Sequence, residues 1–259
     1  MCDECPSDSR RRFLKMALTA SAGALLMPSW VRAGEHGSAK SKAPESAPRG
    51  DSVPAPSSTH SSTPGVTPDE ALARLLEGNR RYVAGKAFHP NESAATRAKL
   101  ATSQTPFAII LGCSDSRVPP EVIFDFGLGD LFVIRVAGNI VEDAGVGSIE
   151  YAVEHLGTPL IVVLGHERCG AVRATVDALN SGTEAPGHIA ELVRKLSPSV
   201  EATKNVPGDR VENAVRENTR RMTAELAGLE PILKEKVDQG KLKVVAARYD
   251  LDSGVVELL

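Results

Sequence analysis

Three apolar runs, Phe107–Leu111, Leu131–Val136 (broken only by Arg135) and Leu160–Leu164, constrain this chain more than any other feature. A strand with one wet face alternates apolar and polar residues, whereas a run that is apolar at every position must bury both faces. The runs are separated by segments of helical period. Gly147–Leu156 places Ile149, Val153 and Leu156 on one side of a helix. Further on, Cys169–Leu179 reads as a helix closed by Asn180-Ser181-Gly182. Residues 211–237 read as one long helical region with a wet charged face, and Leu242–Tyr249 as a late strand. Strands joined through helices line up parallel, with helices over both faces of the sheet. Upstream, Thr67 can cap a helix that Pro68 opens, and Glu70 completes a capping box. Leu72, Leu75, Leu76, Tyr82 and Val83 give that helix an apolar stripe, ending near Gly85. The expected fold is α/β: a central, mainly parallel β-sheet flanked by helices, with an amino-terminal helical arm.

The folded part does not take in the whole chain of 259 residues. Residues 1–33 carry Ser9-Arg10-Arg11-Arg12-Phe13-Leu14-Lys15, a short apolar stretch from Met16 to Met27, and Val31-Arg32-Ala33. A basic region, an apolar region too short to span a bilayer and a small-residue cleavage site make an export signal, here similar to the twin-arginine type. The predicted location is therefore the periplasm, with no stable membrane span. Residues 34–66 are rich in Ser, Pro, Ala, Thr and Gly, and bury too little apolar surface to offset chain entropy, so they read as a disordered linker. Residues 67–259 form the expected folded domain. A net charge of −3 with interspersed signs, and 4% aromatic residues, argue against nucleic-acid binding. Gly127-Leu128-Gly129 and Gly145-Val146-Gly147 lack the third small residue of a dinucleotide fingerprint and read as turns.

Two of the apolar runs end in chemistry. The first continues into Gly112-Cys113-Ser114-Asp115-Ser116-Arg117, the third into Gly165-His166-Glu167-Arg168-Cys169. In parallel sheets ligands bind beyond the carboxyl ends of the strands, and both clusters fall there. Of the four cysteines, Cys2 and Cys5 lie in the export signal, which leaves Cys113 and Cys169. In an oxidising compartment these two could form a disulfide. Alternatively, Cys113, His166 and Cys169 make a three-ligand set for Zn²⁺ with an open position, the pattern of catalytic rather than structural zinc. Cys169 would sit at a helix amino terminus, which favours its thiolate. Asp115 and Arg117, two apart, point to one side if the segment is extended. Arg117 can then orient the carboxylate through a bidentate pair. Asp115 could accept a hydrogen bond from a hydroxide on the ion, or swing in as a fourth metal ligand in a closed state.

Cys113-x-Asp115-x-Arg117 followed by His166-x-x-Cys169 resembles the β-class carbonic anhydrases. The likeness extends through Arg135-Val136-Ala137-Gly138-Asn139 and Gly165–Val172. It implies zinc held by Cys113, His166 and Cys169, with Asp115 and Arg117 as a catalytic dyad. It also implies reversible hydration of CO2 to bicarbonate and a proton, and a homodimer or higher even homo-oligomer. The arm helix would wrap the partner. A COS or CS2 hydrolase on the same scaffold, or a catalytically silent zinc-binding relative, would use the same ligands. Two positions depart from the family. Ile110 stands where a bicarbonate-regulated subset has Trp, although Arg135 of that constellation is present. Asp125-Phe126-Gly127 replaces the Asp-Gln-Gly of many bacterial members, so Phe126 offers no amide donor.

Overall fold

In a computed structural model, residues 65–259 are described. The export signal and nearly all of the linker expected from the sequence lie outside them. The elements are α1 (Pro68–Val83), α2 (Ala94–Leu100), β1 (Ala108–Gly112), α3 (Pro120–Ile123), β2 (Leu131–Arg135), α4 (Asp143–His155) and β3 (Leu160–His166). They continue with α5 (Gly170–Ser181), α6 (Ile189–Ala202), α7 (Arg210–Gly228), α8 (Ile232–Asp238), β4 (Lys243–Tyr249) and β5 (Val256–Leu258).

The sheet runs β2-β1-β3-β4-β5. Its first four strands are parallel and β5 is antiparallel to β4. Because side chains alternate between the two faces, β1 and residues 160–164 of β3, covered on both, are apolar at every position. Ile109, Leu111, Ile161 and Val163 face one core, shared with residues of α4 to α8. Ala108, Ile110, Leu160, Val162 and Leu164 face a second core, shared with α1 and α3. The chain moves outward from β1 to β2 and then returns past β1 to β3. The carboxyl ends of β1 and β3 therefore flank the point where strand order reverses, where a crevice opens in this class of sheet.

The expected capping box is present, with Thr67 accepting from the Glu70 N–H and Glu70 accepting from the Thr67 N–H. The arm helix lies on its own chain: Ala71 and Leu75 join the second core. Buried Asn79 donates to the carbonyls of Ile123 and Gly254 and accepts from the Val256 N–H. Residues 211–237 are two helices, because Pro231, which has no N–H, stands at the start of α8. Helix α4 starts earlier than its periodicity suggested, so Gly145 and Gly147 are helical and not in a turn. No helix among the described residues is long and apolar enough to cross a membrane.

Candidate metal centre

Cys113 directly follows β1, His166 ends β3, and Cys169 is the N-cap residue of α5. Parallel register between β1 and β3 brings both strands out at one edge, with Gly112, the last residue of β1, opposite Leu164, two residues before His166. The two ligand candidates on the second turn face one point because Arg168 between them takes a left-handed backbone, φ 53°. Its guanidinium is tied to Asp252 at 2.6 Å. The Sγ atoms of Cys113 and Cys169 and a ring nitrogen of His166 all lie within 4.8 Å of one another. Both thiols are free, so the disulfide reading does not describe this site.

The residues fit a metal ion on three observations. First, all three side chains are buried, with His166 at 0% exposure. Second, His166 Nδ1 lies 2.9 Å from the Glu167 carbonyl oxygen, which can only accept, so Nδ1 carries the proton. That leaves the Nε2 lone pair as the free donor, and Nε2 is buried with no hydrogen-bond partner. An unmet buried polar atom costs about 1–3 kcal/mol, which a metal bond would remove. Third, two sulfurs and one imidazole nitrogen are the donor types of borderline-soft transition metals.

The two thiols titrate as a pair. The Cys169 thiol facing Cys113, with the backbone N–H groups of Gly138 and Asp115, brings the Cys113 thiol down to about 4 against the effect of burial. The same contact, together with burial, pushes Cys169 up, against the N–H groups of Val172 and Ala171 at the start of α5. The opposite directions favour one thiolate and one retained proton on the pair. A cation at that place would displace that proton and make both thiolates.

Asp115 and Arg117 flank the ligand set. The segment is not extended as the spacing suggested. It turns, with the Val118 N–H donating to the Asp115 carbonyl. The pairing survives because the turn itself brings the two together. Asp115 Oδ1 accepts from the Arg117 N–H at 2.9 Å and from Nε at 3.0 Å, and Oδ2 accepts from an Nη at 2.8 Å. Those hydrogen bonds hold the carboxyl well below the usual carboxylate range, so Asp115 is an acceptor at any neutral pH and not a proton carrier. Its Oδ2 lies 3.9 Å from His166 Nε2.

Arg135 has a task that the sequence did not reveal. From the end of β2 it donates to the carbonyls of Cys113 at 2.9 Å and Asp115 at 2.5 Å, clamping the backbone that carries both residues. Ile110 is fully buried in the second core. Phe126 is half-buried and meets Phe107 edge-on with ring centroids 4.8 Å apart. Its neighbour Asp125 accepts from Arg81 and from the N–H groups of Phe88 and His89.

The sequence model of the carbonic anhydrase family matches residues 108–256, a span that begins with β1 and takes in every residue of this centre. The chain belongs to the carbonic anhydrase family. It is 44% identical over 191 residues to carbonic anhydrase 2 of Mycobacterium tuberculosis, covering 74% of this chain and 92% of that protein. Against the carbonic anhydrase of Mycolicibacterium smegmatis it is 40% identical over 195 residues, covering 75% and 95%. Among solved structures, the β-carbonic anhydrase CcaA superposes with a TM-score of 0.59 at 28% identity, covering 72% of this chain and 94% of that one. One of two tetrameric β-carbonic anhydrases from Sordaria macrospora gives 0.58 at 27%, covering 73% and 96%. Within the carbonic anhydrase family this chain is thus of the β class, and the mainly parallel sheet is the fold it shares with those structures.

Proposed function

We propose that this carbonic anhydrase hydrates CO2 reversibly to bicarbonate and a proton, with zinc held by Cys113, His166 and Cys169. One observation carries the reading: three buried donor atoms converge within 4.8 Å, and the Arg117-bound carboxylate of Asp115 stands 3.9 Å from one of them. When bound there, zinc supplies Lewis acidity that lets a water molecule lose a proton near neutral pH. The chain's own residues do the rest. Cys113 and Cys169 supply two negative charges that balance the ion. His166 supplies a neutral nitrogen whose tautomer the Glu167 carbonyl sets. Asp115, ionised and turned by Arg117, accepts a hydrogen bond from the attacking oxygen and so aims its lone pair at the carbon of CO2. Arg135 keeps the loop of Cys113 and Asp115 in register with β1.

The same reading extends to the assembly and the compartment. Edge strand β2 leaves Leu131–Ile134 only half-buried, and Phe88, Val122 and Leu128 expose large apolar side chains. A second copy of the chain would cover such a surface, and an even homo-oligomer follows, in keeping with the tetrameric relative. The arginine pair and short apolar stretch near the amino terminus support export to the periplasm.

Turnover of CO2, COS and CS2 by the zinc-loaded protein, compared side by side, tests the function. The expected result is fast CO2 hydration with little or no hydrolysis of the sulfur gases. Preferential COS or CS2 hydrolysis would transfer the site to a different substrate, and no turnover of any gas by fully loaded protein would mark a silent relative.

A further inference from the structure

Asn218 donates no ligand atom, yet it stands two hydrogen bonds behind one. It lies midway along α7, 1% exposed, on the stripe that faces the sheet. Its Nδ2 donates to the Gly138 carbonyl at 2.9 Å. The Gly138 N–H donates in turn to Cys113 Sγ at 3.3 Å. The Gly138 carbonyl can only accept, which settles that the Nδ2 end of the amide faces it; Ser199 of α6, equally buried, adds a 3.4 Å contact to Asn218 Oδ1.

Gly138 is the soft joint in this chain of contacts. Its φ is +77°, and a Cβ there would meet Leu196 Cδ1 at 3.0 Å. The position requires glycine, and glycine rotates freely unless something fixes its peptides. Asn218 does so from the carbonyl side. One turn further along the same stripe, Met222 Sδ accepts from the Val141 N–H at 3.3 Å, so α7 grips the loop at a second point. The N–H thus held against Cys113 matters because two thiolates cancel the charge of a divalent ion. A donor on one sulfur withdraws part of that electron density.

We propose that Asn218 is a positioning residue of the metal centre: by anchoring the carbonyl side of Gly138 it limits rotation at that glycine, keeps the Gly138 N–H on the Cys113 sulfur, and so keeps the bound ion a stronger Lewis acid. The proposal rests on the reading of Cys113 as a metal ligand given above.

The test uses the full chain loaded with cobalt(II) in place of zinc, and reads the thiolate-to-cobalt charge-transfer band. Asn218→Asp keeps size and shape but turns an oxygen toward the Gly138 carbonyl. Asn218→Ala removes the donor without adding charge. Both are expected to shift the band to lower energy, as the sulfur becomes a stronger donor, and to lower kcat/KM of the zinc form about tenfold. Ser199→Ala, which leaves the Asn218 donor in place, is expected to keep the wild-type band. Folded Asn218 variants with an unshifted band would overturn the proposal. A check without substitution is available in the cadmium-113 form of the wild type. A scalar coupling between the metal and the Gly138 amide proton, through the N–H···S bond, is expected, and its absence would overturn the proposal even if neither variant folds. A wild type with no thiolate-to-cobalt band at all would instead show that the metal reading had failed.

Discussion

Asp115 Oδ2 lies 3.9 Å from His166 Nε2, and Arg117 holds the same oxygen at 2.8 Å. The carboxylate is therefore close enough to reach an ion on His166, and is restrained by a guanidinium from doing so. The two roles proposed for it, hydrogen-bond acceptor and fourth ligand, would differ by a small movement that Arg117 opposes.

Substitution at this pair should separate catalysis from metal binding. Asp115→Asn leaves all three ligand candidates intact but removes the ionised acceptor. We expect kcat/KM for CO2 to fall by about 10²–10⁴-fold, with metal content unchanged. Arg117→Ala frees the carboxylate, and should lower activity while the protein holds metal against a chelator at least as firmly as before. Stopped-flow hydration assays and metal analysis on the same samples check both. Near wild-type activity in Asp115→Asn would remove Asp115 from the reaction.

Gly165 gives a steric test of how His166 is placed. A Cβ at Gly165 would lie 2.2 Å from Thr219 Oγ1 and 3.3 Å from Val215 Cγ1, so β3 and α7 approach as closely as backbone allows. Gly165→Ala should cost about 1–3 kcal/mol of stability, as overpacking does, and should weaken metal retention because His166 is the next residue. Adding Thr219→Ala removes the obstructing atom and should recover part of both losses. Urea unfolding of the single and double variants measures this. No recovery in the double variant would mean that the contact is not what limits the site.

Asp250 predicts how stability depends on pH. The backbone N–H and hydroxyl of Ser253, and then the Arg248 guanidinium, hold its carboxyl well below the ordinary range near ~3.9. A group depressed in the folded state stabilises fully above its ordinary value, and that contribution is lost as pH falls through the lower folded value. Asp250→Ala should therefore lower the urea midpoint at pH 7, with the gap to wild type narrowing in strong acid. A gap as large in strong acid as at neutral pH would contradict this.

The apolar runs made the sheet legible because alternation disappears when both faces are buried, as they are for β1 and β3, while the edge strand β2 is only half-buried. The convergence of Cys113, His166 and Cys169 was legible for a related reason: all three follow from strand ends, and parallel strands end on one edge. Helix α7 was not. Its many charged residues read as a wet face, yet Val211, Ala214, Val215, Asn218, Thr219, Met222 and Leu226 form a buried stripe. Two polar residues in the middle of that stripe masked its period. The role of Asn218 became visible only when a loop distant in sequence, at Gly138, came within hydrogen-bonding distance. Arg135 was likewise hidden, since its partners are backbone carbonyls that no spacing can reveal. The turn at Asp115–Val118 escaped because Asp115-x-Arg117 has the same spacing whether extended or folded back.

The most direct measurement is a titration of metal-free protein with zinc while CO2 hydration is followed. The account predicts no activity at the start, a linear rise, and a sharp break at one ion per chain, with that break abolished in Cys169→Ser. Full activity in protein stripped of metal, or activity indifferent to added zinc, would contradict it.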